Sequence, residues 1–370
     1  MIPVNTPLLG GNEKKYLNEC IDTGWISSEG PFITRFENEM AAYAGRKFGI
    51  AVSNGSAALD IAVRAAGVKE GDEVIIPTFT IISPAQSVVY CGAKPILVEA
   101  DPLTWCMDVS KIEEKITVKT TAILVVHIYG FPTDMDKVFE LAKKHNLKVI
   151  EDTAEMHGQT YKGKQCGSLG DVSTFSFYPN KHITTGEGGM IMTDDAEIAA
   201  KCRYYRNLCF KTEKRFVHDE IGWNYRMTNL QAALGVAQLE NIDKHIIRKR
   251  EIGNLYNQLL ANAPHIELMP TKTEYAENIY WVYGIILKDT FAHNAEWMMK
   301  RLADEKIGTR PFFYPMHLQP VFNKKGWYKD EKYPIAENIA ERGFYVPSGL
   351  ALTNDEIKTV SETLIKILNE

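Results

Sequence analysis

The sequence has few cysteines and no long apolar run. Its six cysteines include no Cys-x-x-Cys pair, so free thiols in a reducing compartment are expected. The nine histidines are also dispersed, and no metal site is predicted. No stretch approaches the roughly 18 apolar residues of a membrane span, and the first residues do not form a targeting pattern. The sequence therefore predicts a cytoplasmic protein with no membrane partner.

A strong net charge is also missing. The formal net charge is −5, and the lysines and arginines are scattered along the chain. Because proteins that bind nucleic acid usually concentrate basic residues on one surface, no nucleic-acid partner is expected. What remains is an ordinary globular composition, with 370 residues of which 45% are hydrophobic and 24% charged. This length is sufficient for one large domain and a smaller one.

Short apolar runs alternate with helix-like stretches in the first half of the chain. The predicted strands are 48–52, 73–77, 95–99, 122–126, 148–151, 173–177 and 190–192. Amphipathic patterns between them predict helices at 56–66, 134–145 and 196–207. Strands that alternate with helices predict an α/β fold, with a mainly parallel sheet in a three-layer α/β/α domain.

A long stretch without proline follows, from residue 228 to residue 256, with Gly235 as its main interruption. This stretch is predicted to be a connecting helical region, and beyond Leu260 the pattern becomes a mixture of helices and strands. We therefore expect a domain boundary near residue 240. Residues 1–240 would form the large domain, including the N-terminal segment, and residues 241–370 a smaller C-terminal α+β domain.

Lys181 lies beside a glycine-rich turn, in the string from Phe175 to Gly189. The preceding strand carries hydroxyl groups, among them those of Thr174 and Ser176. An amine, hydroxyls and a tight turn together suit the aldehyde and the phosphate of pyridoxal phosphate (PLP). For an arbitrary lysine, a surface position beside a hairpin is the better interpretation, so the assignment depends on the rest of the chain.

Two further segments support a PLP site. Asp152 follows an apolar strand, where a parallel sheet presents side chains to a ligand crevice, and PLP needs a carboxylate at its pyridine nitrogen. The turn from Ser53 to Leu59 opens a helix, whose free N–H groups suit a phosphate. Each has a plainer interpretation: Asp152 as a helix N-cap, the turn as a simple cap, and Ser176 as a structural strand residue.

In combination, these elements resemble the fold type I PLP enzymes of the aspartate aminotransferase class. More narrowly, the chain resembles the DegT/DnrJ/StrS family of sugar aminotransferases. The resemblance runs nearly end to end and includes the strings 24–28, 126–130, 224–229 and 310–315. The last two strings and the glycine turn are particularly similar to the GDP-perosamine synthase branch of that family.

The resemblance implies a role for individual residues. Lys181 would be the Schiff-base lysine, Asp152 would hold the pyridine nitrogen, and Glu155 would lie beside the ring hydroxyl. The residues implied at the phosphate are Ser56, Ala57, Ser176 and, from the neighbouring subunit, Asn224. The active site would then be shared within a homodimer. Asn224 has a plainer alternative, since an asparagine before an aromatic residue also closes turns.

Some positions depart from the family pattern. Ile81 stands where many relatives have an aromatic residue that stacks on the cofactor ring, and the segment 82–86 also differs. Ile81 is either an aliphatic face for the ring or a core residue. The predicted substrate-binding residues are Trp25, Arg310, Tyr314 and His317. Core packing is the alternative for Trp25 and Tyr314, and bracing of the small domain is the alternative for Arg310.

The expected reaction transfers an amino group from L-glutamate to the keto group of a nucleotide-linked deoxysugar, with pyridoxamine phosphate (PMP) as the intermediate cofactor form. The substrate type expected is GDP-4-keto-6-deoxymannose, giving GDP-perosamine for a surface polysaccharide such as O-antigen or capsule. Another keto sugar or a small phosphorylated ketone is an alternative substrate.

Two other functions are less favoured. A related branch of PLP-dependent sugar 3-dehydratases carries histidine at the Schiff-base position. The alignment of the glycine turn places Lys181 there, and His182 becomes a neighbour that packs or forms a hydrogen bond. A non-enzymatic regulator ranks last, because the chain keeps both Lys181 and Asp152.

Overall fold

The protein is described by a computed structural model that covers residues 1–370. Its strands are β1 (Phe48–Val52), β2 (Glu73–Pro77), β3 (Lys94–Val98), β4 (Thr120–Val126), β5 (Lys148–Asp152), β6 (Thr160–Tyr161), β7 (Lys164–Gln165), β8 (Val172–Ser176), β9 (Gly189–Thr193), β10 (Ile266–Leu268), β11 (Tyr283–Leu287), β12 (Arg310–Pro311) and β13 (Gly343–Val346). All seven strands predicted from apolar runs are present, with bounds shifted by at most two residues.

The helices lie between and around these strands. They are α1 (Glu13–Thr23), α2 (Pro31–Ala44), α3 (Gly55–Ala65), α4 (Ser83–Tyr90), α5 (Met135–His145), α6 (Ala196–Arg206), α7 (Asn229–Leu239), α8 (Ile242–Leu260), α9 (Ala295–Asp304), α10 (Pro320–Lys324), α11 (Pro334–Arg342) and α12 (Asn354–Leu368). None of them is both long enough and apolar enough to cross a lipid bilayer.

A seven-stranded sheet is the centre of the large domain, with the strand order β1-β9-β8-β5-β4-β2-β3. Only β9 runs against the others, so the sheet is mainly parallel as predicted. Successive residues of β4 pack into different cores: Leu124 and Val126 contact the cluster that includes α3, whereas Ile123 and Val125 contact the cluster that includes α5. Both faces of the sheet are therefore covered, which makes three layers.

The second domain is built on a four-stranded antiparallel sheet, in the order β10-β11-β13-β12. One face of this sheet packs with α8, α9 and α12 around a separate apolar core. This agrees with the predicted α+β character. The first residues of the chain also reach this part of the molecule, since Ile2 N donates to Lys306 O and Gly308 N donates to Ile2 O, both at 2.8 Å.

The long helical stretch is interrupted at a different residue from the one predicted. Gly235 lies within α7, where a Cβ would be only 2.5 Å from the ring of Phe36, so the glycine permits close helix packing. The break falls instead at Glu240 and Asn241, between α7 and α8. The domain boundary near residue 240 lies beside this break and remains a prediction.

Candidate active site

One cavity of about 590 Å³ lies at the carboxyl ends of the central strands. Residues that follow β2, β4, β5 and β8 line it, as does the beginning of α3. The second domain contributes Trp281, Phe313 and Tyr345 to the opposite wall. This is the place where an open α/β sheet binds its ligands, because loops diverge there and helix N-termini point inward.

Lys181 lies in the loop after β8 and lines this cavity. The loop is held locally by a hydrogen bond from Lys181 N to Tyr178 O at 2.9 Å. The Lys181 Nζ is 3.8 Å from the centre of the Trp281 ring. Burial lowers the pKa of the Lys181 amine, although the carboxyl groups of Glu155 and Asp152 act in the opposite direction. The neutral, nucleophilic amine is therefore more accessible here than on an exposed lysine.

Two buried acids face the same cavity. Asp152 is the last residue of β5, is 3% exposed, and accepts a hydrogen bond only from Ala154 N, at 3.0 Å. Burial raises the pKa of Asp152, while the Ala154 N–H and Lys181 lower it. Glu155 Oε2 accepts from Tyr129 N at 2.8 Å, and burial raises the pKa of Glu155 to about 8. At neutral pH Glu155 is thus mostly protonated and can donate a hydrogen bond.

Glu151, the neighbour of Asp152, has a different role because successive strand residues point to opposite faces. Its carboxylate accepts from the backbone N–H groups of Gly167 at 2.6 Å, Leu169 at 3.0 Å and Gly170 at 3.1 Å. His127 Nε2 is 3.2 Å from the same carboxylate, and its Nδ1 accepts from Thr133 N, so the Nε2 carries the proton. Glu151 therefore fixes a loop, and Asp152 is the acid that faces the cavity.

The beginning of α3 forms another wall of the cavity. Asn54 caps this helix by accepting from Ala57 N at 2.8 Å, which leaves the N–H groups of Gly55 and Ser56 without an acceptor in the chain. A Cβ on Gly55 would lie 2.7 Å from Ser176 Cβ, so only glycine lets the helix begin so close to β8. Hydroxyls and free N–H groups therefore meet at one place, as an anion site requires.

These residues fit PLP on several independent observations. Thr174 Oγ1 and Asn180 Oδ1 line the cavity region and are buried without a hydrogen-bond partner in the chain. Unpaired polar atoms of this kind indicate a polar ligand. The cavity also combines the α3 anion site with a reactive amine and a buried carboxylate without a cationic hydrogen-bond partner. A phosphate, an aldehyde and a basic ring nitrogen are the three groups that PLP offers to such residues.

Most, but not all, of the predicted cofactor residues line the cavity. The cavity is lined by Lys181, Asp152, Glu155, Ser56, Ser176 and Ile81. Ile81 is 47% exposed at this wall, which suits a face for the ring better than a core position. Ala57 is buried behind the wall, and its N–H is already bonded to Asn54. Asn224 is exposed outside the cavity, where its Oδ1 accepts two hydrogen bonds from Arg226.

None of the predicted substrate residues lines the cavity within this chain. Trp25 and Tyr314 are half-exposed elsewhere on the surface, and Arg310 lies on β12, paired in register with Tyr345. His317 is buried, with Nδ1 2.9 Å from Thr78 Oγ1 and Nε2 3.0 Å from Glu337 Oε1. Because both of its nitrogens already have partners, His317 would have to exchange a hydrogen bond to contact a substrate.

Several cavity residues were not anticipated from the sequence. Phe313, rather than the adjacent Tyr314, faces the cavity, and Trp281 and Tyr345 join it from the second domain. No sequence signal marked Trp281 or Tyr345, since their position depends on how the domains pack. His127 also lines the cavity, and it could have been found because it follows the end of β4.

His182 is a neighbour of the site and does not line the cavity. It is buried, and its Nδ1 is 3.1 Å from the carbonyl oxygen of His157. Burial lowers its pKa well below the ordinary value, so the ring is neutral. This agrees with the prediction that His182 packs and forms a hydrogen bond.

The fold and the cavity define a class: the protein is a PLP-dependent transaminase of fold type I. The model of the DegT/DnrJ/EryC1/StrS aminotransferase family matches residues 7–365, and the chain belongs to this family. A GDP-perosamine synthase from Escherichia coli O157:H7 is 45% identical over 98% of this chain and 97% of its own length. Another, from Caulobacter vibrioides, is 44% identical over 99% of this chain and 98% of its own. The structure of the aminotransferase TlmJ from Streptoalloteichus hindustanus is similar, with a TM-score of 0.91, 28% identity and coverage of 100% and 99%.

Proposed function

We propose that this protein transfers an amino group from L-glutamate to the keto group of GDP-4-keto-6-deoxymannose and so makes GDP-perosamine. The proposed substrate is supported by the similarity to two GDP-perosamine synthases, at 45% and 44% identity over nearly the whole chain. The proposed amino-group transfer is supported by the cavity, which brings the Lys181 amine together with two buried acids and an anion site. A product of this kind would serve the synthesis of a surface polysaccharide.

Bound PLP would supply an electron sink for the carbon that loses or gains a proton. Ser56 and Ser176, with the free N–H groups at the beginning of α3, would hold its phosphate. Asp152 would keep the ring nitrogen protonated, because a buried carboxylate stabilises a neighbouring positive charge. Glu155, whose pKa is raised to about 8 by burial, would donate a hydrogen bond to the ring hydroxyl.

Lys181 Nζ is the group that moves protons. Its lowered pKa lets the amine take the proton from the Cα of L-glutamate in the first half-reaction. Still within the first half-reaction, the Lys181 ammonium would pass this proton to the cofactor carbon that bears the new amino group. In the second half-reaction the amine would take a proton from that carbon and deliver it to the sugar carbon that becomes aminated, so that Lys181 ends as the free amine. The wall formed by Trp281, Phe313 and Tyr345 would exclude water while these transfers occur.

We further propose that the active unit is a homodimer. The exposed position of Asn224 outside the cavity of its own chain supports a role in the neighbouring subunit. Trp25 and Tyr314 are also half-exposed apolar residues, which suits either a substrate or a subunit contact. The residues proposed for the sugar nucleotide therefore remain Trp25, Arg310, Tyr314 and His317.

The test is a reaction of purified, PLP-loaded protein with L-glutamate and GDP-4-keto-6-deoxymannose. We expect equal amounts of 2-oxoglutarate and GDP-amino-dideoxyhexose, identified by mass and by proton coupling in the sugar ring. A small phosphorylated ketone and a dTDP-linked keto sugar serve as comparison substrates. Preference for either comparison substrate would reject the GDP-sugar assignment, whereas release of a deoxygenated sugar without an amine would reject transamination.

A further inference from the structure

Lys249 is a buried lysine that the proposed chemistry does not use. It lies on α8 and is 2% exposed. No carboxylate pairs with it, and burial lowers the pKa of its amine to about 7. A buried amine without an acid partner is costly, so its contacts within the chain require an explanation.

The Lys249 amine bonds two backbone carbonyls of the second domain. Its Nζ donates to Trp281 O at 2.8 Å and to Ser348 O at 2.5 Å. These carbonyls lie next to β11 and β13, which pair in register from Tyr283 and Val346. One amine on the long helix therefore holds two segments of the small domain at the edge of the cavity.

Trp281 connects this anchor to Lys181. Its ring lies 3.8 Å from the Lys181 Nζ, and its indole Nε1 donates to Asn180 O at 2.9 Å, next to the lysine in the chain. The ring also stacks on Tyr129, with centroids 5.8 Å apart, and the backbone N–H of Tyr129 bonds Glu155. Trp281 is thus held by its backbone carbonyl, by its indole N–H and by its ring.

We propose that Lys249 is a positioning residue for Lys181. By holding the carbonyl of Trp281, it keeps the indole face against the Lys181 amine and limits the positions from which that amine begins its proton transfers. Aromatic faces attract ammonium groups, and a well-oriented base reacts faster than one that samples many rotamers. The proposal rests on Lys181 being the reacting amine and is independent of which sugar is aminated.

The alternative is that Lys249 only closes the ends of β11 and β13. The chain offers a matched control for this alternative. Tyr256, also on α8, is buried, and its hydroxyl donates to Pro347 O at 2.7 Å, beside Ser348. The Tyr256→Phe variant removes a bond from the same helix to the same segment without affecting the carbonyl of Trp281.

The experiment uses PLP-loaded full-length protein in single turnovers with L-glutamate, followed by the change in cofactor absorbance. We expect Lys249→Met and Trp281→Leu each to slow the half-reaction about tenfold. The half-saturating concentration of L-glutamate should stay within about twofold of the wild-type value. Trp281→Phe, which retains an aromatic face, should recover most of the rate. Tyr256→Phe should lower Tm and leave the rate unchanged.

The double variant Lys249→Met/Trp281→Leu decides whether the two residues act together. If Lys249 acts through Trp281, the double variant should be no more than about twofold slower than either single variant. Rate losses that multiply, a wild-type rate for Lys249→Met, or equal effects of Lys249→Met and Tyr256→Phe would overturn the proposal. If Lys249→Met does not fold, a wild-type rate for Trp281→Leu would overturn it equally. A wild type that reacts with L-glutamate and not with the GDP-sugar would reject the proposed substrate alone.

Discussion

Replacing Glu155 by glutamine tests the electrostatics of the cavity in the cofactor-free chain. Glu155 is 5% exposed, and burial raises its pKa to about 8. In the unfolded chain a glutamate has a pKa of about 4.3. At a pH between these two pKa values, the folded chain holds a proton that the unfolded chain has released. The stability therefore falls as the pH rises. The Glu155→Gln variant has no such proton.

The size of the effect follows from the two pKa values. In the pH range where only the folded chain holds the proton, the free energy of unfolding changes by about 1.36 kcal/mol for each pH unit. From about pH 6 to about pH 9, the Glu155 contribution falls by about 3 kcal/mol. For a chain of 370 residues, this corresponds to about 3 °C in Tm. The difference in Tm between Glu155→Gln and wild type should therefore rise by about 3 °C over this pH range.

The assay is thermal unfolding of the cofactor-free protein at both pH values. Lys249 titrates in the same range with the opposite sign, because the folded chain releases its proton near pH 7 while the unfolded chain keeps it. Because Lys249 is present in both proteins, its contribution cancels when the Tm of the variant is compared with that of the wild type. Glu240→Gln is the matched control. Burial opposes ionisation of Glu240, but hydrogen bonds from Tyr16, Asn12 and Arg35 outweigh it and lower the pKa. The difference in Tm between Glu240→Gln and wild type should therefore not change between the two pH values. Parallel curves for Glu155→Gln and wild type would refute the reasoning.

Four further outcomes are expected. Lys181→Ala should lose the near-visible absorbance of the holoenzyme and at least about a thousandfold of its turnover, measured as 2-oxoglutarate release; normal turnover would remove Lys181 from the mechanism. Asp152→Asn should keep bound cofactor but lose about a hundredfold in rate, because an amide does not stabilise a protonated ring; a rate near wild type would contradict this. Gly55→Ala should weaken PLP binding about tenfold or more, since the new Cβ meets Ser176 at 2.7 Å, and an absorbance titration of the apoprotein measures this. Mixing Asn224→Ala chains with Lys181→Ala chains should recover about a quarter of wild-type activity, because each mixed dimer would have one intact site if Asn224 acts across subunits; no recovery would place Asn224 in its own chain's site.

The sheet and its ligand edge were predictable because they depend on local patterns. Apolar runs of three to five residues between helical stretches allow a buried parallel sheet and little else. The position of Asp152 at a strand end then places its carboxylate at the crevice. The same reasoning does not tell Asp152 from Glu151, since a strand turns successive side chains to opposite faces and the sequence does not say which face holds the ligand.

Helix interruptions show where local reasoning fails. Glycine weakens an isolated helix, and Gly235 was therefore the expected break. In the folded chain, the ring of Phe36 packs against this glycine, and the tertiary contact keeps the helix continuous. The actual break at Glu240 and Asn241 carries no glycine or proline.

By itself, the sequence determined the α/β fold through its local apolar runs, and the family through motifs spread along nearly the whole chain. Those motifs also predicted Lys181, Asp152 and Glu155 as residues of the site. Only the tertiary structure decided that Trp281, Phe313 and Tyr345 complete the cavity and that Tyr314 and His317 lie outside it in this chain. The reason is physical: the second domain reaches the cavity through packing and hydrogen bonds between distant segments, such as the one from Trp281 Nε1 to Asn180 O. No local periodicity or propensity encodes those contacts.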